Sequence, residues 1–174
     1  LISLVNKYML QGKNQYAPMA GVLELREEIS ALQREFYAAN YNPDSEITIT
    51  AGATQGIYTT ISALVHRGDE VIMFSPAYDC YGPAVEVNGG TSVFIELNSE
   101  DYSIPWEEVR DSITDRTKMI LVNSPHNPTG AVWTAEDLER LEELVVGTGV
   151  IVLSDEVYAH IIYDGVKHVS VASS

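Results

Sequence analysis

The segment Lys118–Asn123, KMILVN, is a short unbroken apolar run that is followed at once by turn-forming residues. Such a run predicts a β-strand that is buried within a sheet. Apolar or β-branched composition predicts four further strands, at Glu46–Thr50, Glu70–Phe74, Thr91–Leu97 and Ile151–Leu153. The sequence therefore predicts a sheet of five strands.

Helical spacing of apolar residues fills the intervals between these strands. It predicts helices at Gly21–Asn40, Thr54–Val65, Tyr81–Val87, Pro105–Ile113 and Thr134–Val146. Thr134, with Asp137 three residues later, resembles a capping box. Strands that alternate with helices favour parallel pairing, right-handed crossovers and helices on both faces. The expected fold class is α/β, a three-layer α/β/α arrangement with a mostly parallel sheet.

The composition excludes several classes of protein. The chain has 174 residues, a formal net charge of -15, 45% hydrophobic residues and 20% charged residues, so it can bury a core. The acidic balance argues against non-specific nucleic-acid binding and against a polybasic membrane contact. No apolar run approaches the roughly 18 residues of a membrane span. The single cysteine, Cys80, excludes an internal disulfide framework and favours a reducing, cytoplasmic setting.

Ligands of parallel sheets bind beyond the carboxyl ends of the strands, so the residues after each predicted strand are informative. Ala51–Gly56 (AGATQG) begins a helix, whose amides and the Thr54 hydroxyl suit a phosphate; an ordinary capped turn is the alternative. Ser75–Tyr81 carries tyrosines that can stack on a planar ring, or that simply pack between sheet and helix.

The last two strands are followed by a rigid loop and by a carboxylate. In Asn123–Gly130 two prolines restrain the loop, and Asn127 can donate to a phenolate or carboxylate oxygen; a plain turn is the alternative. Asp155 follows directly after an apolar strand, so its carboxylate needs a cationic partner, and a protonated ring nitrogen would be one. The alternative is that Asp155 caps a following helix. Together the four strand ends predict a site for a flat, phosphorylated, nitrogenous ring, and pyridoxal phosphate fits.

These residues resemble the fold-type I pyridoxal-phosphate aminotransferases of class I/II, and most closely the branch with methionine and kynurenine aminotransferases. The resembling segments follow the family's order along nearly the whole chain: Asn14–Pro18 (NQYAP), Leu25–Arg26, Gly52–Thr54 (GAT), Gly68–Val71 (GDEV), Pro76–Asp79 (PAYD), Pro125–Gly130 (PHNPTG), Asp155–Tyr158 (DEVY) and His168–Ser170 (HVS). The resemblance implies amino-group transfer between amino acids and 2-oxo acids, with pyridoxal 5'-phosphate as cofactor.

The resemblance also implies a role for each residue of the site. It implies that the Ala53 and Thr54 amides hold the cofactor phosphate, with Gln55 beside them, and that Tyr78 stacks on the pyridine ring. It further implies that Asn127 and Tyr158 bind the phenolic oxygen of the ring and that Asp155 pairs with the ring nitrogen, while Asn123 helps to position the site. Tyr16 would reach the phosphate of the partner subunit's cofactor in a homodimer. The residues implied to be catalytic are Asp155, Tyr158 and Asn127.

The family's catalytic lysine lies in a Ser-x-Ser-Lys-type context, which none of Lys7, Lys13, Lys118 and Lys167 shares. In relatives it follows the region that matches His168–Ser170, so we expect it beyond Ser174, together with two anion-binding arginines. The opening residues, LISLV, look like the middle of a helix. We therefore expect residues 1–174 to be a partial large domain, without the small domain and inactive alone.

Other interpretations remain open. The same cofactor anchors occur in carbon–sulfur lyases, related eliminating enzymes and cyclopropane-forming synthases of this fold, and a lysine-free relative would be a non-catalytic binding module. A metal hydrolase using His126, Asp155, Glu156 and His160 is a weaker hypothesis, based on Glu156 and His160 lying four apart on a helix. The sequence does not identify the substrate amino acid.

Overall fold

A computed structural model describes residues 1–173 of the protein. The chain divides into two compact units, the first Leu1–Thr50 and the second beginning at Ala51. No helix within residues 1–173 is both long and apolar enough to cross a membrane.

The first unit contains helices α1 (Ile2–Leu10) and α2 (Leu23–Tyr37). Polar side chains of α2 bind the backbone of the segments on either side of it. The buried Arg26 guanidinium donates from Nε to the Gly21 carbonyl at 3.2 Å and from Nη1 to the Pro43 carbonyl. The Ser30 hydroxyl donates to the Tyr41 carbonyl at 2.6 Å. Because these donors are buried, their acceptors determine how the chain folds around α2.

The predicted strand at Glu46–Thr50 is wrong, because the structure has no strand there. The Ile49 N–H instead donates to the Ala20 carbonyl at 2.9 Å, where the chain turns through Gly21. Gly21 has φ 91°, and a Cβ atom at this position would overlap the Ile49 side chain. A β-branched segment becomes a strand only when another strand lies alongside it, and here its partner is a turn.

The second unit is built on four parallel strands: β1 (Glu70–Ser75), β2 (Thr91–Glu96), β3 (Thr117–Asn123) and β4 (Ile151–Asp155). Their order across the sheet is β2-β1-β3-β4. The helices are α3 (Ala53–Leu64), α4 (Tyr81–Val87), α5 (Trp106–Ser112) and α6 (Ala135–Val145), and a 3-10 turn lies at Val171–Ser173. The other four predicted strands and the parallel α/β class are confirmed.

Alternate residues of each strand face opposite sides of the sheet. Val71 and Met73 of β1 belong to an apolar cluster with residues of α3 and α4. Ile72 and Phe74 belong to a second cluster with residues of α5 and α6. Because helices cover both faces, the central strands β1 and β3 are buried along most of their length, as the sequence predicts for a three-layer arrangement.

The path of the chain places a ligand site at one edge of this sheet. The β1–β2 connection runs through α4 on one face, and the β3–β4 connection runs through α6 on the other. The strand order therefore reverses between β1 and β3. In open α/β sheets ligands bind beyond the carboxyl ends of the strands at this reversal.

The predicted capping box of α6 is also confirmed. The Asp137 N–H donates to the Thr134 hydroxyl at 3.2 Å, and the Thr134 N–H donates to the Asp137 carboxylate at 2.9 Å. These two bonds satisfy backbone donors that a helix start leaves without an intrahelical acceptor.

Candidate functional site

A cavity of about 210 Å³ lies beyond the carboxyl ends of the strands in the second unit. Seven of the residues that the sequence predicts for the cofactor site line it: Ala53, Thr54, Tyr78, Asn123, Asn127, Asp155 and Tyr158. Three more residues line it that the prediction did not include: Ile57, Tyr81 and Val157. The fold therefore brings together residues from four separate segments of the sequence.

Asp155, the last residue of β4, is 8% exposed. Its Oδ2 atom accepts a hydrogen bond from the Tyr81 phenol at 2.7 Å, and its Oδ1 atom accepts one from the Val157 N–H at 3.1 Å. A carboxylate has about four lone-pair positions, so two donors leave it able to accept from a ligand in the cavity. A buried carboxylate held in this way is suited to a cationic partner.

Asn123 ties the end of β3 to the end of β4. Its buried side chain donates from Nδ2 to the Asp155 carbonyl at 3.0 Å and accepts at Oδ1 from the Asn127 N–H at 2.8 Å. The Ser124 N–H donates to the same Asp155 carbonyl at 3.1 Å. Asn123 thus holds the backbone of both Asp155 and Asn127, and its part in positioning a cofactor site stays a prediction.

Tyr78 and Tyr81 follow β1 and pack against each other. Their ring centroids are 5.7 Å apart at an interplanar angle of 72°, an edge-to-face arrangement. Tyr81 is buried, whereas Tyr78 is 39% exposed and lines the cavity. Tyr78 therefore has a partly exposed ring in the cavity that Asp155 also lines, packed edge-to-face against the buried Tyr81 ring.

The start of α3 forms another part of the cavity wall. Ala53 and Thr54 are the first two residues of this helix, and both are exposed. The first N–H groups of a helix have no intrahelical acceptor, and the helix dipole favours an anion there. The Thr54 side chain also hydrogen-bonds Cys80, whose pKa is raised by burial and by the charges of Asp79 and Asp155 despite that bond.

Two predicted site residues lie elsewhere. Gln55 is exposed, and its Oε1 atom accepts a hydrogen bond from the Ala51 N–H at the beginning of α3. Tyr16 belongs to the first unit and is fully exposed. Its contact with the cofactor of a partner subunit stays a prediction.

The segment after Asp155 corrects two of the alternative interpretations. Residues 157–160 form turns and not a helix, so Asp155 caps no helix, and Glu156 and His160 do not share a helix face. Glu156 instead accepts hydrogen bonds from Ser154 and Ser170 and pairs with His168 at 2.8 Å. Among residues 1–173, no three His, Cys, Asp or Glu side chains are grouped so that they could hold a metal ion.

His126 joins two of the loops that carry site residues, a connection that the sequence prediction missed. Its Nδ1 atom lies 2.8 Å from the Thr129 hydroxyl, and its ring also bonds the Pro76 carbonyl, which precedes Tyr78. Burial lowers the pKa of His126 below its ordinary value of 6.5. The neutral ring can accept at one nitrogen and donate at the other, as a link between two loops requires.

This architecture defines an α/β protein with a cavity at the carboxyl edge of a parallel sheet, where proteins of this class bind their ligands. Residues 5–173 match the model of the family described as Aminotransferase class I and II. The chain belongs to this family, and the resemblance inferred from the sequence is confirmed.

Two curated relatives illustrate the similarity. The chain is 42% identical over 164 residues to the methionine aminotransferase of Escherichia coli (strain K12), which covers 94% of this chain and 42% of that protein. It is 36% identical over 170 residues to kynurenine–oxoglutarate transaminase 3 of Homo sapiens, covering 92% of this chain and 37% of that protein. The chain thus spans about two fifths of the length of these relatives.

Solved structures agree with the sequence comparison. The Escherichia coli methionine aminotransferase superposes with a TM-score of 0.94 at 41% identity, over 97% of this chain and 44% of that one. An aromatic aminotransferase from Pyrococcus horikoshii OT3 superposes with a TM-score of 0.93 at 38% identity, over 97% and 46% of the two chains.

Proposed function

We propose that this chain forms the cofactor-binding part of a pyridoxal-phosphate aminotransferase, which moves an amino group from an amino acid to a 2-oxo acid. The observation that carries the proposal is that the Asp155 carboxylate, the Tyr78 ring and the start of α3 line one cavity. Membership of the class I and II aminotransferase family supports the same reaction.

The chemistry of the groups around the cavity fits this cofactor. Asp155 is a buried acceptor that still has lone pairs for a protonated ring nitrogen. Asn127 and Tyr158 supply an amide and a phenol that can donate to the phenolic oxygen. The start of α3 is suited to the phosphate, and Tyr78 offers an aromatic face to the ring.

When bound, pyridoxal phosphate accepts the substrate's amino group and stabilises the negative charge that develops on the substrate's α-carbon. The protein's part is to hold a proton and to exclude water. An ionised Asp155 keeps a proton on the ring nitrogen, because separating that charge pair in a buried site costs free energy. Tyr78 lines the cavity, where its ring would stack on one face of the bound cofactor and keep water from that face.

The remaining features of the proposal concern the complete protein. None of the residues that line the cavity is a lysine, so we propose that the lysine of the reaction comes from outside the described residues. We propose that residues 1–174 are part of a large cofactor-binding domain and that the protein is a cytoplasmic homodimer. In this proposal Gln55 lies beside the amides that hold the phosphate, and Tyr16 reaches the phosphate of the partner subunit's cofactor. Elimination at a carbon–sulfur bond is the second candidate reaction, since the same anchors serve it.

Titration of the complete encoded protein with pyridoxal phosphate, followed by visible absorption, tests the proposal. We expect binding by the wild type, much weaker binding or turnover in Asp155→Ala, and no change in Asp111→Asn, an exposed carboxylate on α5. Product analysis then separates the reactions: a 2-oxo acid with a new amino acid indicates transamination, whereas ammonia or a thiol indicates elimination. Wild-type protein that binds no cofactor, or full turnover in Asp155→Ala, contradicts the proposal.

A further inference from the structure

We propose that Tyr81 is a positioning residue, whose phenol holds the Asp155 carboxylate in the orientation that the cofactor's ring nitrogen requires. This inference rests on the proposed function, because it assigns to Asp155 the ring nitrogen as its partner. Tyr81 is expected to contribute through Asp155 and not through a contact of its own with the nitrogen.

The contact between the two residues is short and buried. The Tyr81 phenol donates to Asp155 Oδ2 at 2.7 Å, and the residues are 3% and 8% exposed. Tyr81 is the first residue of α4, and Asp155 is the last residue of β4. The bond therefore connects two elements that are far apart in the sequence, directly at the wall of the cavity.

The two donors to Asp155 together determine how the carboxylate is oriented. The Val157 N–H donates to Oδ1, and the Tyr81 phenol donates to Oδ2. With one donor on each oxygen, the carboxylate cannot rotate without losing a hydrogen bond in a buried place. Because the acceptor is charged, losing either bond is more costly than losing a bond between neutral groups.

The Tyr81 donor is itself held in one place. Its ring lies in the apolar cluster between the sheet and helices α3 and α4 and packs edge-to-face against Tyr78. Burial, and then the hydrogen bond to Asp155, raise the pKa of Tyr81 well above its ordinary value of 10.0. The phenol therefore keeps its proton throughout the pH range in which enzymes of this kind work, and Asp155 always has a donor.

Replacement of Tyr81 by Phe removes the donor and keeps the ring. Without it, Oδ2 of Asp155 is buried with no protein donor, so the carboxylate turns toward other donors or water. We expect its alignment with the ring nitrogen to weaken. An analogue of pyridoxal phosphate in which C–H replaces the ring nitrogen cannot make this pair, and its binding is expected to be indifferent to Tyr81.

The experiment measures dissociation constants of pyridoxal phosphate and of this carbon analogue, with the complete encoded protein and its Tyr81→Phe variant. We expect the variant to bind pyridoxal phosphate about tenfold more weakly, the effect of one lost hydrogen bond to a charged group. The analogue is expected to bind both proteins within about twofold. Tyr102→Phe, an exposed tyrosine between β2 and α5, is the control and should match the wild type.

The outcomes separate the two proposals. Equal weakening for both ligands means that Tyr81 only supports the cavity wall, and it overturns the positioning role; so does unchanged binding of pyridoxal phosphate. If the wild type binds neither ligand, the proposed function fails, and this inference fails with it.

A second comparison applies if Tyr81→Phe does not fold. The double variant Tyr81→Phe/Asp155→Asn removes the charge and its donor together, which is less costly than leaving a buried charge alone. If Tyr81 acts through the Asp155 carboxylate, the double variant binds pyridoxal phosphate as Asp155→Asn does. A further loss of about tenfold in the double variant overturns the inference.

Discussion

Asn123 and Asp155 are register partners at the carboxyl ends of β3 and β4, and the Asn123 side chain donates to the Asp155 carbonyl at 3.0 Å. The same side chain accepts from the Asn127 N–H at 2.8 Å. One buried amide thus connects the strand that ends in the site carboxylate with the loop that carries the site amide.

We expect Asn123→Ala to lower the free energy of unfolding by about 1–3 kcal/mol, because the partly buried Asn127 N–H loses its acceptor and the buried Asn123 amide is removed. Urea denaturation of the complete protein measures the change. Asn98→Ala removes an exposed side-chain bond to Ser103 and is expected to cost less. Equal losses in the two variants would show that the Asn123 bonds contribute no more than an exposed bond.

We expect the free energy of unfolding to depend on pH through His126. Burial lowers its pKa below 6.5, so the unfolded chain takes up a proton that the folded protein does not. Stability from this residue is therefore complete above about pH 6.5, falls as the pH decreases from there toward the folded pKa, and then levels off.

The His126→Gln variant tests this dependence. It cannot titrate, so we expect its free energy of unfolding to change less than that of the wild type between pH 7 and pH 5, by thermal or urea denaturation. His66→Gln, at an exposed position, serves as control and should keep the wild-type slope. Parallel curves for wild type and His126→Gln would contradict the prediction.

We expect a second change in the free energy of unfolding, at lower pH, from Glu70. Its carboxylate accepts from the Thr114 hydroxyl at 2.6 Å and from Arg116 Nε at 2.9 Å. The Thr114 hydrogen bond, and then Arg116, lower the pKa of Glu70 below 4.5. The stability it provides is therefore present above about pH 4.5 and is lost as the pH falls through the folded pKa.

We expect Glu70→Gln to be less stable than the wild type at pH 7, and this difference to shrink as the pH falls below about 4.5. Urea denaturation at a series of pH values measures it. Glu108→Gln, an exposed acid of α5, is the matched control and should show little difference at any pH. A Glu70→Gln difference that stays constant with pH would argue against a role for the Glu70 charge.

Gly21 provides a test of the first unit. Ala at this position adds a Cβ atom that overlaps the Ile49 side chain, in addition to the strain of a positive φ. Gly12 also has a positive φ, 77°, but has nothing within 4 Å of the added atom. We expect Gly21→Ala to lose about 1–3 kcal/mol more than Gly12→Ala. Hydrogen exchange of α2 amides measures the local loss, and equal protection in both variants would contradict the overlap.

The apolar strands could be predicted because the composition of each segment alone indicates a buried strand. KMILVN is buried along most of its length in β3, and a short apolar run that is followed by turn residues favours a central strand of a covered sheet. Glu46–Thr50 (EITIT) is β-branched, yet its structure depends on whether a strand lies beside it, and the Ala20–Gly21 turn lies there instead. Composition does not reveal the neighbour.

The candidate site also combines features that local sequence indicates with features that depend on distant residues. Asp155, Asn127, Tyr78 and the Gly52–Thr54 turn each follow or begin a predicted element, so a general rule for parallel sheets located them together. Tyr81 stands in the same tyrosine-containing segment, and the spacing of three from Tyr78 was the available signal. Its role was missed because it depends on Asp155, 74 positions away.

The amino-acid sequence alone therefore determined the α/β class, the four parallel strands and the family, because periodicity and turn residues act over short stretches of chain. Only the tertiary structure decided which donors meet the Asp155 carboxylate, that His126 joins two loops, and that residues 157–160 are turns. Those relationships depend on where distant segments pack, and a hydrogen bond that acts over 3 Å leaves no periodic trace in the sequence.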